Sequence, residues 1–404
     1  MSVSLQPDGT DAPRHLRLRL SLLFGALFVP NSIYLSFFPL WLASGGLDPV
    51  QISTLLTIPV FVRLITTPIF THMADRVRER THVLIAISAM SVLLATMLIV
   101  PMGYWSLVAV ITALAMFWSP QVPIADSIAL SGVRRYGLDY SSVRIWGSVM
   151  FLLSSISAGV IVQRSSAANA APLIALGFAV IFCATFLTPR LGRRRQPQAQ
   201  IASGAGALRS PRVLLILTAT GLIQASHGLM YNFGSIYWQS LVISAQDVGF
   251  LWAVPVFAEI VLFRVYASLF GGWKPEHVLA LAGAVGILRW ILFSLAGVLG
   301  FGFFALAAIQ SLHGLTFGAT YLAQQTFLAH AVPEEQAGGA QGLGVSLHGV
   351  IMLTVMFASG PLYANFGGNS FWAMTVVSAA GIAVAFWFAA SQRKWIKSQA
   401  GSAP

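Results

Sequence analysis

The stretch Ile58-Pro59-Val60-Phe61 recurs 196 positions later in the chain as Val254-Pro255-Val256-Phe257. Two aromatic residues recur at an offset of 197, with Tyr34 and Trp41 matching Tyr231 and Trp238. Each match alone is weak, because short apolar strings recur by chance. The nearly shared offset nevertheless indicates an internal repeat, so the chain is predicted to consist of two related halves.

Long apolar runs surround both copies of the repeated stretch. A hydrocarbon core about 30 Å thick needs about 20 helical residues to cross it. Twelve runs are long enough, near 18–44, 49–74, 82–101, 104–131, 142–164, 171–189, 212–242, 246–271, 277–299, 301–330, 338–366 and 370–391. These runs are apolar on every face, whereas barrel strands alternate polar and apolar residues. We therefore predict an all-α membrane protein with twelve transmembrane helices in two six-helix pseudo-symmetric bundles.

Composition supports a membrane protein. Hydrophobic residues make up 57% of the 404 residues and charged residues only 9%, against about 25% charged residues in a soluble domain. The net charge of +11 does not indicate nucleic-acid binding, because the basic residues lie in short clusters between apolar runs. The single cysteine, Cys183, excludes an internal disulfide.

The basic residues also predict orientation. Of the 23 lysines and arginines, 19 lie in alternate loops or at the two termini, and the other four are Arg63, Arg164, Arg264 and Arg289. By the positive-inside rule, both termini and the central loop are expected to be cytoplasmic. We predict a multi-pass protein of a bacterial inner membrane, with an N-terminal half at 1–189, a flexible cytoplasmic linker at 190–211 and a C-terminal half at 212–404.

Several ionisable residues fall inside the predicted spans. A charge at mid-membrane costs about 2.5–3.5 kcal/mol or more, so it is usually paired or functional. The charged candidates are Arg63, Asp126, Glu259, Arg264 and Arg289, and the histidines are His227, His313 and His348.

Glu259 and Arg63 occupy equivalent positions, because both follow the repeated Pro-Val-Phe string at the same distance. Burial of a carboxyl group favours the protonated acid and a nearby arginine favours the carboxylate, so Glu259 is a candidate proton carrier. The alternative is a purely structural pair with Arg289 or Arg63. We assign proton coupling to Glu259, Arg289, His227 and His313, although for the two histidines a packing role with one satisfied hydrogen bond is the favoured alternative.

Substrate contact is assigned to one arginine and four aromatic residues. Arg63 keeps its charge in proteins, so it serves either as a counter-ion or as a binder of an anionic substrate. The aromatic candidates for the cavity wall are Tyr34, Tyr231, Tyr237 and Trp238, of which Trp238 has the alternative role of an interfacial anchor.

A third group lies near the inner ends of the spans. Asp126 is within reach of Arg144, so the two are expected to form a structural ion pair or a gate at the cytoplasmic mouth, in preference to contacting substrate. Asp75 and Arg76 are assigned to the same gate.

No enzyme constellation is found in the sequence. It contains neither a phosphate-binding loop nor a cysteine–histidine spacing typical of a metal site. We therefore expect no enzymatic activity, no metal and no cofactor, with a proton gradient as the energy source.

Several longer motifs carry a family resemblance. The run Leu138-Asp139-Tyr140-Ser141-Ser142-Val143-Arg144-Ile145-Trp146-Gly147-Ser148 resembles the loop 4–5 signature of the phenylpropionate permease family, a branch of the major facilitator superfamily. Further matches are Pro123–Ser127, Leu222–His227, Ser235–Gln239, Gly249–Trp252 with Glu259, Arg289-Trp290 and Gln310–Phe317. The similarity extends from about residue 18 to 390, with the motifs in order.

The resemblance implies the major facilitator fold and proton-linked uptake of a small organic solute by alternating access. The family carries 3-phenylpropionate, an aromatic carboxylate, and a sister branch resembles lactose and nucleoside symporters. Matching positions are Arg63, Asp126, Arg144, His227, Glu259, Arg289 and His313.

Three features depart from the family pattern. Arg264 has no counterpart in the family, Tyr321 stands where the family has histidine, and the loop 2–3 motif survives only as Asp75-Arg76 with Arg80. We keep a sugar or nucleoside symporter and a drug or metabolite exporter as alternatives, with a non-transporting sensor less favoured. The expected partners are a small-molecule substrate, protons and the lipid bilayer, with the protein acting as a monomer.

Overall fold

The computed structural model describes residues 12–191, 210–333 and 336–400, and of residues 392–400 only the backbone. Most of the predicted linker at 190–211 therefore lies outside the described residues. The described residues include every predicted span.

Six membrane-length helices precede the linker. Their bounds are α1 Leu16–Ser44, α2 Pro49–Arg76, α3 Arg80–Met97, α4 Tyr104–Tyr136, α5 Tyr140–Arg164 and α6 Ala170–Leu187. The fifth begins two residues earlier than the apolar run suggests. Asp139 caps it, because its carboxylate accepts hydrogen bonds from the Ser141 backbone N–H at 2.9 Å and the Ser141 hydroxyl at 2.7 Å, and these bonds lower the pKa of Asp139.

Six more helices follow the linker. Their bounds are α7 Pro211–Ser240, α8 Ala245–Phe270, α9 Pro275–Leu295, α10 Phe303–Ala331, α11 Ala337–Phe366 and α12 Phe371–Ala400. The segment Ala337–Ser391 is 55 residues long and apolar enough to cross a membrane, and a short 3₁₀ turn at Gly367–Ser370 divides it into two crossings. The prediction of twelve transmembrane helices is thus confirmed over the described residues, which contain no strand.

Three of the helices are interrupted. Helix α4 breaks between Trp118 and Gln121, at Ser119-Pro120, and α7 breaks at Ser226-His227. Helix α10 contains a π-helical segment, Gly314–Ala319, directly after His313. Such interruptions are tolerated in membrane helices when side chains or neighbouring helices satisfy the freed backbone groups, and π segments occur frequently at functional sites.

The chain divides into two compact units. Among the described residues, the first comprises 12–47, 54–191 and 244–253, and the second comprises 48–53, 210–243, 254–333 and 336–400. In the first unit α1 packs against α5 and α6, and in the second the equivalent helix α7 packs against α11 and α12. The same packing order in both units agrees with the predicted pseudo-symmetry.

Candidate functional site

Helices α8, α9 and α10 of the second unit bring ionisable side chains together. Helix α10 approaches α8 closely because Gly314 and Gly318 lie at the contact. A Cβ atom at Gly314 would lie 3.0 Å from the Ala258 carbonyl oxygen, and one at Gly318 would lie 3.1 Å from two side chains of α8. Because a larger residue would push the helices apart, these glycines set the distance that places His313 beside Glu259.

Glu259 and His313 are in direct contact. The Nε2 atom of His313 lies 2.8 Å from Oε1 of Glu259, and the side chains are 9% and 22% exposed, respectively. Phe317 stacks on the histidine ring with a centroid distance of 5.2 Å. Glu259 therefore lies at the edge of the cluster, where one side of its carboxyl group is accessible and the other is held by histidine.

Arg289 lies behind this pair and is only 1% exposed. Its Nη1 atom is 3.2 Å from Nδ1 of His313 and 3.2 Å from the Thr316 hydroxyl, and Nη2 is 2.5 Å from Oε1 of Gln310. Its guanidinium also lies 4.7 Å from the Trp290 ring centroid. The Nε atom has no hydrogen-bond partner among the described residues, so one donor of the buried guanidinium is unused.

These contacts determine the protonation of His313. A guanidinium has only donors, so the hydrogen bond from Arg289 requires Nδ1 of His313 to act as an acceptor. The ring proton must then lie on Nε2, which donates to the Glu259 carboxylate. His313 is therefore neutral in this arrangement and connects the cation of Arg289 to the anion of Glu259.

His227 extends the network into α7. Its Nδ1 atom lies 2.9 Å from the Gln224 carbonyl oxygen and its Nε2 atom lies 3.0 Å from the Thr316 hydroxyl. A carbonyl only accepts, so Nδ1 carries the proton and Nε2 accepts from Thr316. Thr316 in turn accepts from Arg289. The structure thus brings all four predicted coupling residues into one hydrogen-bonded network.

The three aromatic candidates of α7 differ in position. Tyr231 lies close enough to interact electrostatically with Glu259 and Arg289. Tyr237 donates a hydrogen bond of 2.8 Å to the Phe293 carbonyl oxygen and is buried, and Trp238 is fully buried. Both side chains are buried in this structure, and a role of either in substrate contact stays a prediction. Both are core residues of the second unit.

Arg63 and Tyr34 belong to the first unit. Arg63 is exposed, and no hydrogen bond or ion pair to it is found among the described residues. Tyr34 is buried, stacks on Phe38 with a centroid distance of 4.5 Å, and its hydroxyl has no hydrogen-bond partner in the described part of the chain. Of the two, only Arg63 has an accessible side chain.

The predicted pair of Asp126 and Arg144 is not a direct ion pair. The Tyr140 hydroxyl donates to Oδ1 of Asp126 at 2.8 Å. Arg144, one helical turn beyond Tyr140, acts on Asp126 only through its charge, and its guanidinium lies 4.5 Å from the Phe28 ring centroid. The aspartate and arginine therefore share a cluster, with a tyrosine as the hydrogen-bonding partner.

The expected gate at Asp75 and Arg76 also uses a different partner. Oδ1 of Asp75 lies 2.8 Å from Nη2 of Arg80, and Nη1 of Arg80 lies 3.1 Å from the Ser131 hydroxyl. Arg76 is exposed at the end of α2. The ion pair at this position is thus Asp75 with Arg80.

Sequence reasoning gave no role to Gln310, Thr316 or Tyr140. All three are uncharged, and a search for ionisable residues inside predicted spans passes over them. The spacing of Gln310, His313 and Thr316, each three residues apart, places them on one face of a helix and was the available signal. Among the described residues, no group of three or more His, Cys, Asp or Glu side chains is arranged to hold a metal ion.

The family described as the MFS_1 like family matches residues 16–374 of the chain. The chain belongs to this family. It is 29% identical over 368 residues to the "Probable 3-phenylpropionic acid transporter" of Escherichia coli (strain K12), covering 89% of this chain and 94% of that protein. The resemblance to the phenylpropionate permease family is therefore confirmed.

A more distant relative and two solved structures agree on the architecture. The chain is 25% identical to "Maltose permease" of Geobacillus stearothermophilus over 67% of each protein. The nucleoside transporter NupG matches with a TM-score of 0.79 at 15% identity, over 93% of this chain and 98% of that one. A bacterial homolog of the human lysosomal transporter Spinster matches with a TM-score of 0.75 at 13% identity, over 94% and 98%. This member of the MFS_1 like family is a multi-pass secondary transporter with the major facilitator fold.

Proposed function

We propose that the chain is a proton-coupled symporter that carries a small organic solute by alternating access, with an aromatic carboxylate such as phenylpropionate as the favoured cargo. It works as a monomer in a bacterial inner membrane, with both termini cytoplasmic. The proton gradient supplies the energy, and no cofactor takes part.

The network of Glu259, His313 and Arg289 carries the proposal. In the arrangement described, one anion and one cation are joined through a neutral imidazole. When Glu259 takes a proton, the cluster gains one positive charge in a poorly solvated place. An anionic solute that binds at the same time restores neutrality, so proton and carboxylate are taken up together because either charge alone is costly there.

The rearrangement after protonation passes through His313. A protonated Glu259 attracts the His313 N–H less strongly than a carboxylate does, because hydrogen bonds to charged groups are the stronger ones. Weaker anchoring of the ring loosens its hold on Arg289, whose Nε already lacks a partner. Arg289 is then free to grip a carboxylate in the bidentate geometry that arginine favours, and exposed Arg63 is the second candidate for the cargo's charge.

The names of the relatives support an organic acid first. The curated protein with 29% identity is named for 3-phenylpropionic acid. A sugar or nucleoside symporter is the alternative, favoured by the maltose permease and the nucleoside transporter among the similar proteins. Export in place of uptake would use the same network with the steps in reverse order.

The test uses purified protein in proteoliposomes with an imposed pH gradient. Radiolabelled 3-phenylpropionate, maltose and uridine are offered separately, and both gradient-driven accumulation and exchange without a gradient are measured. We expect wild type to accumulate the acid. Glu259→Gln, which resembles the protonated carboxyl group, is expected to retain exchange and lose accumulation, so that the solute concentration inside the vesicles does not rise above the concentration outside.

Glu276→Gln is the matched control, since it makes the same change in the first turn of α9, outside the network. It should behave as wild type. Normal accumulation by Glu259→Gln would remove Glu259 from coupling and leave a structural pair. Accumulation of maltose or uridine in place of the acid would move the assignment to the alternative cargo.

A further inference from the structure

An accessible aromatic surface lies directly beside Glu259. Phe263 follows Glu259 by four residues on α8, and Tyr321 lies opposite Phe263 on α10, with the two ring centroids 6.5 Å apart. Phe263 is 46% exposed and Tyr321 is 44% exposed. Among the described residues, neither ring contacts a third aromatic ring. We call Phe263 and Tyr321 the aromatic pair.

Gly318 of α10 brings the aromatic pair and Glu259 to one place. A Cβ atom at Gly318 would lie 3.1 Å from Cε1 of Phe263 and 3.6 Å from Cγ of Glu259. The two side chains of α8 therefore pack side by side against the backbone of α10. Because the Glu259 side chain is 22% exposed, an accessible carboxyl group and an accessible ring adjoin each other.

Polar groups continue this surface beyond Tyr321. Gln325 lies four residues after Tyr321, on the same face of α10. Its Nε2 atom lies 3.3 Å from Oε1 of Gln341 of α11, and the two exposed amide groups bond each other reciprocally. The aromatic pair thus lies between an accessible carboxyl group and an accessible pair of amides.

These polar neighbours indicate which environment the aromatic pair faces. A carboxyl group or an amide that is exposed to hydrocarbon is costly, so polar groups at membrane depth face the bundle interior or a water-filled cavity. A surface that carries Glu259 at one end and Gln325 at the other is therefore a cavity surface and not a lipid surface. The two exposed rings are then accessible to a dissolved solute.

The spacing along α8 fits an aromatic carboxylate. Four residues of an α-helix rise about 6 Å, which separates the level of the Glu259 carboxyl group from that of the Phe263 ring. In 3-phenylpropionate, a chain of two methylene groups separates the carboxylate from the ring, a span of similar length. A solute whose ring contacts the aromatic pair therefore has its carboxylate at the level of Glu259 and His313, next to Arg289.

We propose that Phe263 and Tyr321 form the binding site for the aromatic ring of the cargo, a proposal that rests on the symport of an aromatic carboxylate proposed above. The ring packs on both side chains in the offset-stacked or edge-to-face arrangements that aromatic rings prefer. Ionised Glu259 repels the cargo's carboxylate, and protonation of Glu259 ends this repulsion. The aromatic pair thus determines which solute binds, and Glu259 with Arg289 determines in which protonation state it binds.

Two substitutions test the aromatic pair, and the chain offers a matched control for each. Tyr321→Leu and Phe263→Leu replace the rings by aliphatic side chains. Tyr321→Phe keeps the ring and removes only the hydroxyl. Phe257 of α8 is 60% exposed and contacts no other described aromatic ring, so Phe257→Leu makes the same exchange outside the aromatic pair.

Exchange of radiolabelled 3-phenylpropionate without a gradient is measured in proteoliposomes over a range of solute concentrations. We expect Tyr321→Leu and Phe263→Leu each to raise the half-saturating concentration roughly tenfold, at the upper end of what an aromatic pair contributes, with an unchanged maximal rate. Tyr321→Phe and Phe257→Leu should behave as wild type. Inhibition of exchange by butyrate, which has the carboxyl group but no ring, should be the same in all variants.

Photolabelling shows directly where the ring binds. Wild-type protein is irradiated with the 4-azido derivative of 3-phenylpropionate and digested, and the labelled segments are identified by mass spectrometry. We expect label on the segments that contain Phe263 and Tyr321, and an excess of 3-phenylpropionate should prevent this labelling. Preventable label that lies only on other segments would overturn the aromatic site.

Unchanged half-saturation in both leucine variants would overturn the aromatic site and leave the proposed function intact. Equal changes for butyrate and 3-phenylpropionate, or a joint fall of melting temperature and maximal rate, would also overturn it and assign the rings to helix packing. If wild type exchanges the acid but never accumulates it under a gradient, proton coupling fails and the exchange measurements still decide the aromatic site. If wild type does neither, the proposed cargo and the aromatic site both fail.

Discussion

At equivalent helix positions the first unit holds prolines, whereas the second unit holds residues at a helix interruption. An offset of 197 places Pro30 of α1 opposite His227 of α7, and Pro120 of α4 opposite Phe317 in the π segment of α10. In the first unit both positions hold proline: Pro30 lies inside the unbroken helix α1, where Gly177 packs closely against it, and Pro120 lies at the break in α4. In the second unit the equivalent positions lie next to hydrogen-bonding side chains, so there the same architecture carries acid–base chemistry.

The repeated Pro-Val-Phe string shows the same division. Arg63 and Glu259 follow it at equal distance, yet Glu259 has a histidine partner at 2.8 Å while Arg63 is exposed. The two units thus have helices at equivalent positions, but equivalent helices carry different side chains. The titratable groups that are joined in one hydrogen-bonded network lie in the second unit.

Replacement of Arg289 or Arg63 should give the largest difference in stability between the two units. Arg289→Leu leaves Glu259 without its counter-charge and leaves Gln310 and His313 without their donor, so the loss of stability should be about 3–5 kcal/mol, as for other broken buried pairs. Arg63→Leu removes an exposed side chain and should change stability by about 0.5 kcal/mol or less. Thermal unfolding of the purified variants in detergent, followed by tryptophan fluorescence, measures both.

The double variant Arg289→Leu with Glu259→Gln supplies the control. It should recover part of the loss, because the unpaired carboxylate is also removed. Equal destabilisation by Arg63→Leu and Arg289→Leu would contradict the division of chemistry between the units.

A smaller effect is expected in the polar cluster of the first unit. If the Tyr140 hydroxyl is the partner of Asp126, a double-mutant cycle of Tyr140→Phe and Asp126→Asn should give a coupling of about 1.5 kcal/mol, typical of a hydrogen bond to a charged group. Arg144→Gln with Asp126→Asn should give less, since Arg144 acts on Asp126 only through its charge. The melting temperatures of the four variants of each cycle measure the coupling.

Tyr136→Phe is the matched control, as Tyr136 lies on α4 near the same end and makes no described hydrogen bond. Stronger coupling of Asp126 to Arg144 than to Tyr140 would restore the ion pair expected from the sequence. In that case the first unit would hold a buried charge pair of its own.

The helices were predictable because, in a protein of this composition, a run of about twenty apolar residues indicates a transmembrane helix. Which helix face packs against which neighbour was not predictable. The rise per residue gives the depth of a side chain along the helix but does not identify the helix that it contacts. Tyr237 and Trp238 were assigned to a cavity for this reason, although both are buried in the core. The π segment of α10 was missed because Gly314 and Gly318 are compatible with an ordinary membrane helix.

The charged and titratable residues of the site could be predicted from the sequence. The uncharged residues that connect them by hydrogen bonds could not. Glu259, Arg289, His227 and His313 were identified as ionisable residues inside spans, and the structure joins them. Thr316 was not identified, although it links Arg289 to His227. An uncharged side chain inside a span carries little information until its partner is known.

The smallest expected effect lies in the loops that connect the first two helices of each unit. An offset of 196 places Gly46 opposite Val242, and both have left-handed backbone, with φ of 80° and 62°. Glycine adopts this conformation freely, whereas other residues lose about 1–2 kcal/mol, and a β-branched residue is a genuine outlier. Val242 is 92% exposed, so little apolar burial offsets its strain.

Val242→Gly should therefore stabilise the protein. The relief of about 1–2 kcal/mol is reduced by the greater freedom of glycine in the unfolded chain, about 0.5–1 kcal/mol, which leaves a net gain near 0.5 kcal/mol. Val242→Ala, which keeps the Cβ atom, should gain less stability. Gly46→Val should lose stability, because it puts a β-branched residue into the left-handed conformation of the first unit's loop. Melting temperatures of the three variants give the order. If Val242→Gly were the least stable of them, the valine side chain would have to make a contact that outweighs its backbone conformation, and the two loops would not be equivalent.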